Sequence, residues 1–275
     1  MPLLPRITGT GFENTSSTFG RLQPALWDIY QRRSRTNDIT EDGYYRFWDF
    51  DNWGDQTAST TALDGWKLHL DTGDTIVQVT GELGGVIRPT TTTTDNNSID
   101  VMESGGVGTV NITSAATAMT LFESRVRFTQ VTNTYNFFIG LTAAGSAADN
   151  GFFTDAGATA DRACFGFQVL EADGDALEFT YKKAGQTAQI TSGLKAIAAA
   201  TWYSLAAIYD ASEQNPARRV KILIDNAVVA YLTDTQLAAA TFPSGVSMGF
   251  GFSIKNQTNV GKSVDIDLGA RAMSA

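Results

Sequence analysis

The chain has 275 residues, which is enough for one large all-β domain or two smaller domains, and its hydrophobic content of 43% is typical of a globular protein. A net charge of −9 argues against nucleic-acid binding and against attachment to anionic membrane surfaces, because both need an excess of lysine and arginine. No stretch approaches the roughly 20 apolar residues of a membrane span, and no signal-peptide pattern is visible at the start. We therefore expect a soluble protein that is made in a cytoplasm.

Residues 1 to about 60 differ in composition from the rest, and we predict that they form an extended N-terminal arm. They hold three of the six prolines, three of the five tryptophans and the one dense basic cluster. A short helix is predicted over residues 24–33, with Pro24 in its first turn. Aromatic and arginine side chains concentrate binding energy at interfaces. The predicted partner-binding residues are Trp27, Tyr30, Arg32, Arg33, Arg35, Tyr44, Tyr45, Trp48 and Trp53. An alternative has equal support: these aromatic residues cover one end of the chain's own sandwich.

Strand patterns begin near Trp66 and recur at short intervals to residue 268, separated by turn residues. A dozen or more strands of this kind predict a sandwich or a barrel. Within residues 119–131 one face carries Leu121, Glu123, Arg125 and Arg127 and the other is apolar, so we expect an outer strand with one solvated face.

An antiparallel hairpin is predicted from residues 202–210 and 219–226, where two alternating runs flank a polar loop. The apolar positions of the central strands indicate the core. The residues predicted to lie in it are Trp202, Leu205, Ile222, Ile224, Phe250 and Phe252.

Several strand motifs follow one another in a recognisable order. They are FESRVRF at 122–128, FFIGL at 137–141, FGF at 165–167, TWYSL at 201–205, VKILIDN at 220–226, GFGF at 249–252 and VDID at 264–267. This order resembles the concanavalin A-like (laminin G-like) jelly-roll domains of tailed-bacteriophage structural proteins, over about residues 61–275. The resemblance implies an all-β, two-sheet antiparallel jelly-roll sandwich at 61–275, preceded by the arm at 1–60.

Domains that this chain resembles also include lectins, glucanases and lyases, so the resemblance admits an enzyme. Retaining hydrolases of this fold carry a Glu-x-Asp-x-x-Glu strand, and this sequence has no such string. The nearest carboxylate pairs are Asp49/Asp51 and Asp265/Asp267, and the second pair is interpreted as the solvent face of a terminal strand. His69 is the only histidine and is interpreted as structural. We expect no enzymatic activity, no catalytic residue and no cofactor.

Metal binding is also not expected. With one histidine and one cysteine, a zinc site of ordinary composition is excluded, and Cys164 is predicted to be a small buried residue because its neighbours are apolar. Oxygen ligands for calcium could come from Asp149, Asn150, Asp155, Asp161 or residues 171–175. The last of these segments is better interpreted as a hairpin turn.

The predicted function is that of a structural virion protein, specifically a decoration or cement protein that binds and stabilises a bacteriophage head. Its expected partners are the major capsid protein or other virion proteins and further copies of itself, bound through the arm and one sheet edge. One alternative is a carbohydrate-binding module of a phage fibre or spike, with Tyr44, Tyr45, Trp48 and Trp53 as glycan platforms. A polysaccharide-degrading enzyme is a further, weaker alternative.

Overall fold

A computed structural model describes residues 44–50, 53–63, 65–82, 85–103, 110–113, 118–131, 135–170 and 176–274. Strands dominate this part of the chain. They are β1 (Tyr44–Asp49), β2 (Thr60–Leu63), β3 (Trp66–Leu70), β4 (Thr75–Gln78), β5 (Ile87–Thr90), β6 (Ser98–Glu103), β7 (Val110–Asn111), β8 (Met119–Phe128), β9 (Tyr135–Ala143), β10 (Cys164–Val169), β11 (Ala176–Lys182), β12 (Gln189–Ala196), β13 (Trp202–Asp210), β14 (Val220–Ile224), β15 (Ala227–Tyr231), β16 (Ser247–Asn256) and β17 (Val264–Ser274). The described helices are short: a 3-10 turn at Pro216–Arg218 and α1 (Asp234–Ala238).

The strands form two antiparallel sheets, which confirms the predicted all-β sandwich. Sheet A has eight strands in the order β15-β14-β13-β8-β17-β5-β4, and β1 pairs with β17 beside this path. Sheet B has nine strands in the order β12-β11-β10-β9-β16-β6-β3-β2, and β7 pairs with β16. Strands that are neighbours in the centre of each sheet are far apart in sequence. In sheet A, β17 lies between β8 and β5, and in sheet B, β16 lies between β9 and β6. Long crossings of this kind are typical of jelly rolls.

The core lies between the sheets and is built from alternate residues of each strand. Aromatic side chains dominate the inner face of sheet B, and the rings of Phe165 and Phe179 meet edge-on at 4.9 Å. Five of the six residues predicted for the core are fully buried: Leu205, Ile222, Ile224, Phe250 and Phe252.

The sixth, Trp202, is only partly buried and corrects the prediction. It begins β13 directly opposite Arg127 of β8, so it lies on the outer face of sheet A. There the guanidinium carbons of Arg125 and Arg127 lie 4.5 Å and 4.6 Å from the centroid of its ring. Two cation–π contacts hold this tryptophan outside the core.

The outer face of β8 is also less solvated than its sequence predicts. Leu121 and Glu123 are completely buried, whereas Arg125 and Arg127 are half-buried. Leu121 belongs to a second apolar cluster on this face, together with Ile208, Leu223 and Leu268. The alternation of apolar and charged residues therefore identified β8 as a strand, but it did not predict that the outer face of β8 is partly buried.

A β-bulge between Ile266 and Leu268 divides β17 into two halves with different orientations. Before the bulge Ile266 lies in the main core; after it Leu268 lies in the second cluster and Arg271 is turned into the sandwich. Arg271 forms a buried bidentate ion pair with Glu103 of β6, with Nε–Oε2 at 2.7 Å and Nη2–Oε1 at 2.6 Å. This pair joins the two sheets.

The predicted hairpin of β13 and β14 is confirmed by antiparallel pairing from Leu205–Ile224 to Tyr209–Val220. A second hairpin follows at once. Asp225 and Asn226 both have positive φ, 51° and 66°, and make the two-residue turn between β14 and β15. No helix among the described residues is long and apolar enough to cross a membrane.

Candidate functional site

The outer face of sheet B is covered by the connection between β9 and β10, residues 144–163, which we call the crossing loop. Its Phe152 ring stacks on Phe138 of β9, with centroids 3.9 Å apart and planes inclined by 22°. Phe153 meets Phe152 edge-on at 4.8 Å, and Cys164 completes this small apolar cluster. The loop is thereby packed against the sheet instead of standing in solvent.

A row of facing side chains crosses the outer face of sheet B beneath and beside this loop. Strand register places them next to one another, one from each of six adjacent strands: His69, Asp100, Ser253, Phe138, Gln168 and Glu178. Five of the six are polar, and all but His69 are fully buried. Such a concentration of buried polar groups needs hydrogen-bond or ionic partners.

Three ligand-type side chains meet where this row reaches the crossing loop: His69 of β3, Asp71 just after β3, and Asp149 of the loop. Their ligand atoms all lie within 4.8 Å of one another. His69 Nε2 is 3.3 Å from Asp71 Oδ1. The other oxygen of Asp71 accepts a hydrogen bond from the backbone N–H of Ser98 at 2.7 Å, which fixes the orientation of the carboxylate. We call this group the His69 cluster.

Two further carboxyl groups stand behind the His69 cluster. Asp100 is 1% exposed, and its Oδ2 accepts a hydrogen bond from Ser98 Oγ at 2.9 Å. On the other side, Ser253 of β16 faces the Asp100 carboxyl group, and its hydroxyl hydrogen-bonds to that group. Burial raises the pKa of Asp100 to about 7, and the charge of Asp71 adds to that rise.

Asp74 is the second of these groups and is completely buried. Its Oδ1 accepts hydrogen bonds from the Thr92 N–H at 2.7 Å and from Asn97 Nδ2 at 3.2 Å, whereas Oδ2 has no partner among the described residues. Burial raises its pKa to about 6, and the Asp71 carboxylate again contributes. Both shifts have the same physical cause, a crowded acidic corner of low solvation.

The cation that faces this corner is Lys255 of β16, whose charge acts on Asp100. The lysine is itself bound by the crossing loop. Its Nζ donates to Asp155 Oδ1 at 2.8 Å and to the side-chain oxygen of Asn150. Lys255 thus fastens the loop to the sheet, and its charge is shared with Asp155.

Other predicted ligand residues do not join the His69 cluster. Asp161 lies at the far end of the crossing loop, where it accepts a hydrogen bond from the Gly185 N–H. Residues 171–175 lie outside the described part of the chain. Cys164 is buried, as predicted, and its pKa is raised to about 12 by desolvation, so its thiol stays protonated.

The Asp265–Asp267 pair is not the solvent-exposed face that its sequence predicts. Both carboxyl groups are buried and bound by arginines. Asp265 accepts Arg88 Nε at 2.5 Å and Arg127 Nη2 at 2.6 Å, and Asp267 accepts Arg125 Nη1 at 2.7 Å. These arginine contacts occupy both carboxyl groups on the outer face of sheet A.

The predicted arm residues divide into two groups. Trp27, Tyr30, Arg32, Arg33 and Arg35 lie outside the described residues. Tyr44 and Tyr45 lie in β1, paired with Met273 and Ala272 of β17. The pairing begins before the predicted boundary at residue 60, so β1 is part of sheet A.

Trp48 and Trp53 contact the chain's own core, as in the alternative interpretation of the arm. The Trp48 ring lies 4.9 Å from Trp66 and 5.5 Å from Phe250. Trp53 is 7% exposed and meets Trp66 edge-on at 5.3 Å.

Sequence reasoning missed the His69 cluster because its members are separated along the chain. His69 and Asp71 share a strand end, but Asp149 is brought to them only by the fold of the crossing loop. One signal was present in the sequence: His69 and Asp71 stand two residues apart, and alternate residues of a strand share a face.

No family model matches the sequence, and no curated protein matches it. Solved structures do. A protein of unknown function from Shewanella oneidensis MR-1 is 16% identical with a TM-score of 0.52, and the match covers 98% of this chain and 97% of that one. An endo-β-1,4-glucuronan lyase from the fungus Trichoderma reesei is 14% identical with a TM-score of 0.51, covering 79% and 93%.

The carbohydrate recognition domain of Emp46p in its metal-free form is 14% identical with a TM-score of 0.50, covering 76% of this chain and 88% of that one. At such identities the likeness concerns the fold alone. The fold is the concanavalin A-like β-sandwich, as predicted.

Proposed function

We propose that this chain is a structural protein of a bacteriophage particle, which acts by associating with neighbouring subunits. The observation that carries the proposal is an exposed apolar edge. β15 ends sheet A, and its side chains Val228, Val229 and Tyr231 are 42%, 37% and 44% exposed. An unprotected edge strand offers backbone hydrogen bonds to an incoming strand, and soluble monomers usually block such edges.

The edge of sheet B lies beside it. β12 ends that sheet, and Lys195 of β12 binds Asp225 in the β14–β15 turn, with Nζ–Oδ2 at 2.5 Å. Ile190 of β12 is 45% exposed. Together with Val228, Val229 and Tyr231 of β15 it forms an exposed apolar surface, which we call the apolar strip. The occupant that we propose for the strip is a second copy of this chain, whose β15 pairs with the first across a two-fold axis.

A non-catalytic role is supported by the state of the carboxyl groups. The pair Asp265 and Asp267 is bound by arginines, and the described Glu178 on sheet B is buried and bound by Gln168. The virion assignment itself comes from the resemblance of the strand motifs to phage structural domains.

Glycan binding through Trp48 and Trp53 is the less favoured function. Both rings contact Trp66 within the sandwich, so their faces are already covered by aromatic neighbours. A sugar platform needs an open ring face. A glycan array probed with the full chain separates the two functions, since the assembly proposal expects no saturable binding.

Light scattering coupled to size exclusion tests the assembly proposal. We expect the full chain to associate and Val229→Lys to shift it toward the monomer by at least tenfold in dissociation constant, because a charge would be buried in the strand pair. Val260→Lys is the matched control, since Val260 is 50% exposed and lies in the β16–β17 connection, away from the edge. Unchanged association of Val229→Lys would exclude this edge as the interface.

The virion assignment is tested separately by sedimentation. The purified chain is mixed with particles of the phage that encodes it, assembled without the chain. We expect saturable co-sedimentation with a fixed number of copies per particle. Its absence, for the wild-type chain, would overturn the virion role while leaving the edge interface to stand on the scattering result.

A further inference from the structure

An amine, an amide and a carboxylate meet where the crossing loop contacts β16, and each of the three groups contacts the other two. Lys255 Nζ donates to the side-chain oxygen of Asn150 and, at 2.8 Å, to Asp155 Oδ1. The side chains of Asp155 and Asn150 are in turn hydrogen-bonded to each other. An ion pair needs only the lysine and the aspartate, and the amide is the additional member. We call these three residues the Lys255 cluster; it shares no residue with the apolar strip.

Burial in the Lys255 cluster is uneven. The side chain of Lys255 is 1% exposed, whereas that of Asp155 is 64% exposed. Apolar packing adjoins the lysine, because Phe152, two residues after Asn150, stacks on Phe138 of the neighbouring strand β9. Water is thus kept from the amine, while the carboxylate opens a route to solvent for a proton or a small leaving group.

Separate contacts hold the amide against the amine. Asn136 of β9 stands directly opposite Lys255, and its Nδ2 donates to the backbone oxygen of Gly157 in the crossing loop at 3.3 Å. With the Phe152 stack, this bond fixes the loop on the sheet. Since the oxygen that Lys255 contacts is bonded to the amide carbon of Asn150, the amine nitrogen lies close to that carbon. Two reacting groups held together in this way react as in a unimolecular step.

We propose that Lys255 and Asn150 join in an intramolecular isopeptide bond, with Asp155 as the proton acceptor. The hydrogen bond from Lys255 holds the pKa of Asp155 below its ordinary value, so at neutral pH the carboxylate is ionised and can take a proton from Nζ. Nζ then attacks Cγ of Asn150. The Nζ–Cγ bond forms, the bond from Cγ to the amide nitrogen breaks, and that nitrogen leaves as ammonium with the two protons that Nζ gives up. The reaction needs no oxidant, reductant or further reactant.

The bond would link two positions that lie 105 residues apart, in β16 and in the crossing loop. A covalent link across so long a span restricts the unfolded chain and stabilises the folded one. The loop that covers the outer face of sheet B would then be fixed to the sheet permanently.

Mass spectrometry of the intact full chain, after incubation at neutral pH, tests the bond. We expect a mass about 17 Da below that of the sequence, which is the loss of one ammonia, and proteolysis should yield one peptide pair that joins Asn150 to Lys255. Lys255→Arg keeps the positive charge but not the amine, and should have its full sequence mass. Asp155→Asn should also keep its full mass. Asp161→Asn is the matched control, because Asp161 is an exposed aspartate of the same loop outside the Lys255 cluster, and it should lose ammonia as the wild type does.

Thermal unfolding supplies the second readout. Asp155→Asn should melt roughly 10 °C below the wild type, and Asp161→Asn should not, because only the first lacks the link. Asp155 is exposed, so its variant is expected to fold even if Lys255→Arg does not.

Three results would overturn the proposal. One is a wild-type chain that keeps its full sequence mass after prolonged incubation. Another is a loss of ammonia that persists in Lys255→Arg, which would place a succinimide at Asn150–Gly151 instead. The third is a linked peptide pair from Asp155→Asn in the same yield as from the wild type, which would exclude Asp155 as the proton acceptor.

Discussion

Individual ion pairs differ widely in how much they contribute to the free energy of unfolding of this sandwich, because they differ in burial. Arg271 and Glu103 are almost completely buried, at 0% and 3% side-chain exposure, and they bind each other through two short contacts. Lys195 and Asp225 also form a short contact, but their side chains are 42% and 40% exposed. Solvent screens the second pair, and it cannot reach the first.

Glu103→Ala is therefore expected to lower the free energy of unfolding by about 3–5 kcal/mol, because it leaves the Arg271 charge buried without its carboxylate. Equilibrium unfolding in urea measures the change. Lys195→Ala serves as the comparison and should cost less than about 1 kcal/mol. Similar losses in both variants would show that the interior pair is no more important than a surface pair.

Asp100 makes the stability depend on pH in a defined direction. Burial raises its pKa from the ordinary 3.8 to about 7, so between these values the folded chain keeps a proton that the unfolded chain releases. Stability is then greatest at low pH within that window and falls as the pH rises toward 7. Asp74 acts with the same sign up to about pH 6.

Asp100→Asn isolates this contribution, since Asp74 is present in both proteins. From pH 5 to 7 in the presence of EDTA, we expect the wild type to lose about 2 kcal/mol more than Asp100→Asn. Urea unfolding at the two pH values measures the difference. Equal pH dependence in the two chains would mean that Asp100 is ionised throughout the folded state.

At the scale of elements, the segment 44–53 is an integral part of the sandwich. β1 pairs with β17 over six residue pairs, and Phe50 and Trp53 follow it directly into the core. The local composition, rich in tryptophan and arginine, indicated an interface. The interface that forms with the described residues is an internal one, between this segment and Trp66 and Phe250.

Trp53→Ala is expected to cost about 3–5 kcal/mol of unfolding free energy, because it opens a cavity among large aromatic neighbours. Tyr231→Ala is the comparison, since Tyr231 is 44% exposed on an edge strand and its loss removes little packing within one chain. Denaturation at a fixed low protein concentration keeps association from obscuring the result. A Trp53→Ala variant as stable as Tyr231→Ala would support an arm separate from the core.

For the whole molecule, the sequence predicted the architecture better than the site. Alternating residues identified β8, β13 and β14, because one-sided burial leaves a two-residue period. The bulge in β17 leaves no such trace, so the inward turn of Arg271 was not foreseen. Asp149 lies near His69 only because of the path of the crossing loop. That path depends on tertiary packing, such as the stacking of Phe152 on Phe138, which the sequence pattern does not reveal.

The position of β17 between β8 and β5 has a consequence for synthesis of the protein. While a ribosome is still translating, β8 and β5 have no strand to separate them until residues 264–274 emerge, and β9 and β6 likewise need β16. Both central strands are thus made after the strands that flank them in the sheets. A nascent chain of some 250 residues must keep open strand edges from pairing wrongly, and non-local pairings of this kind form slowly. The two sheets are accordingly expected to close only once residues 264–274 have been made, in one late step.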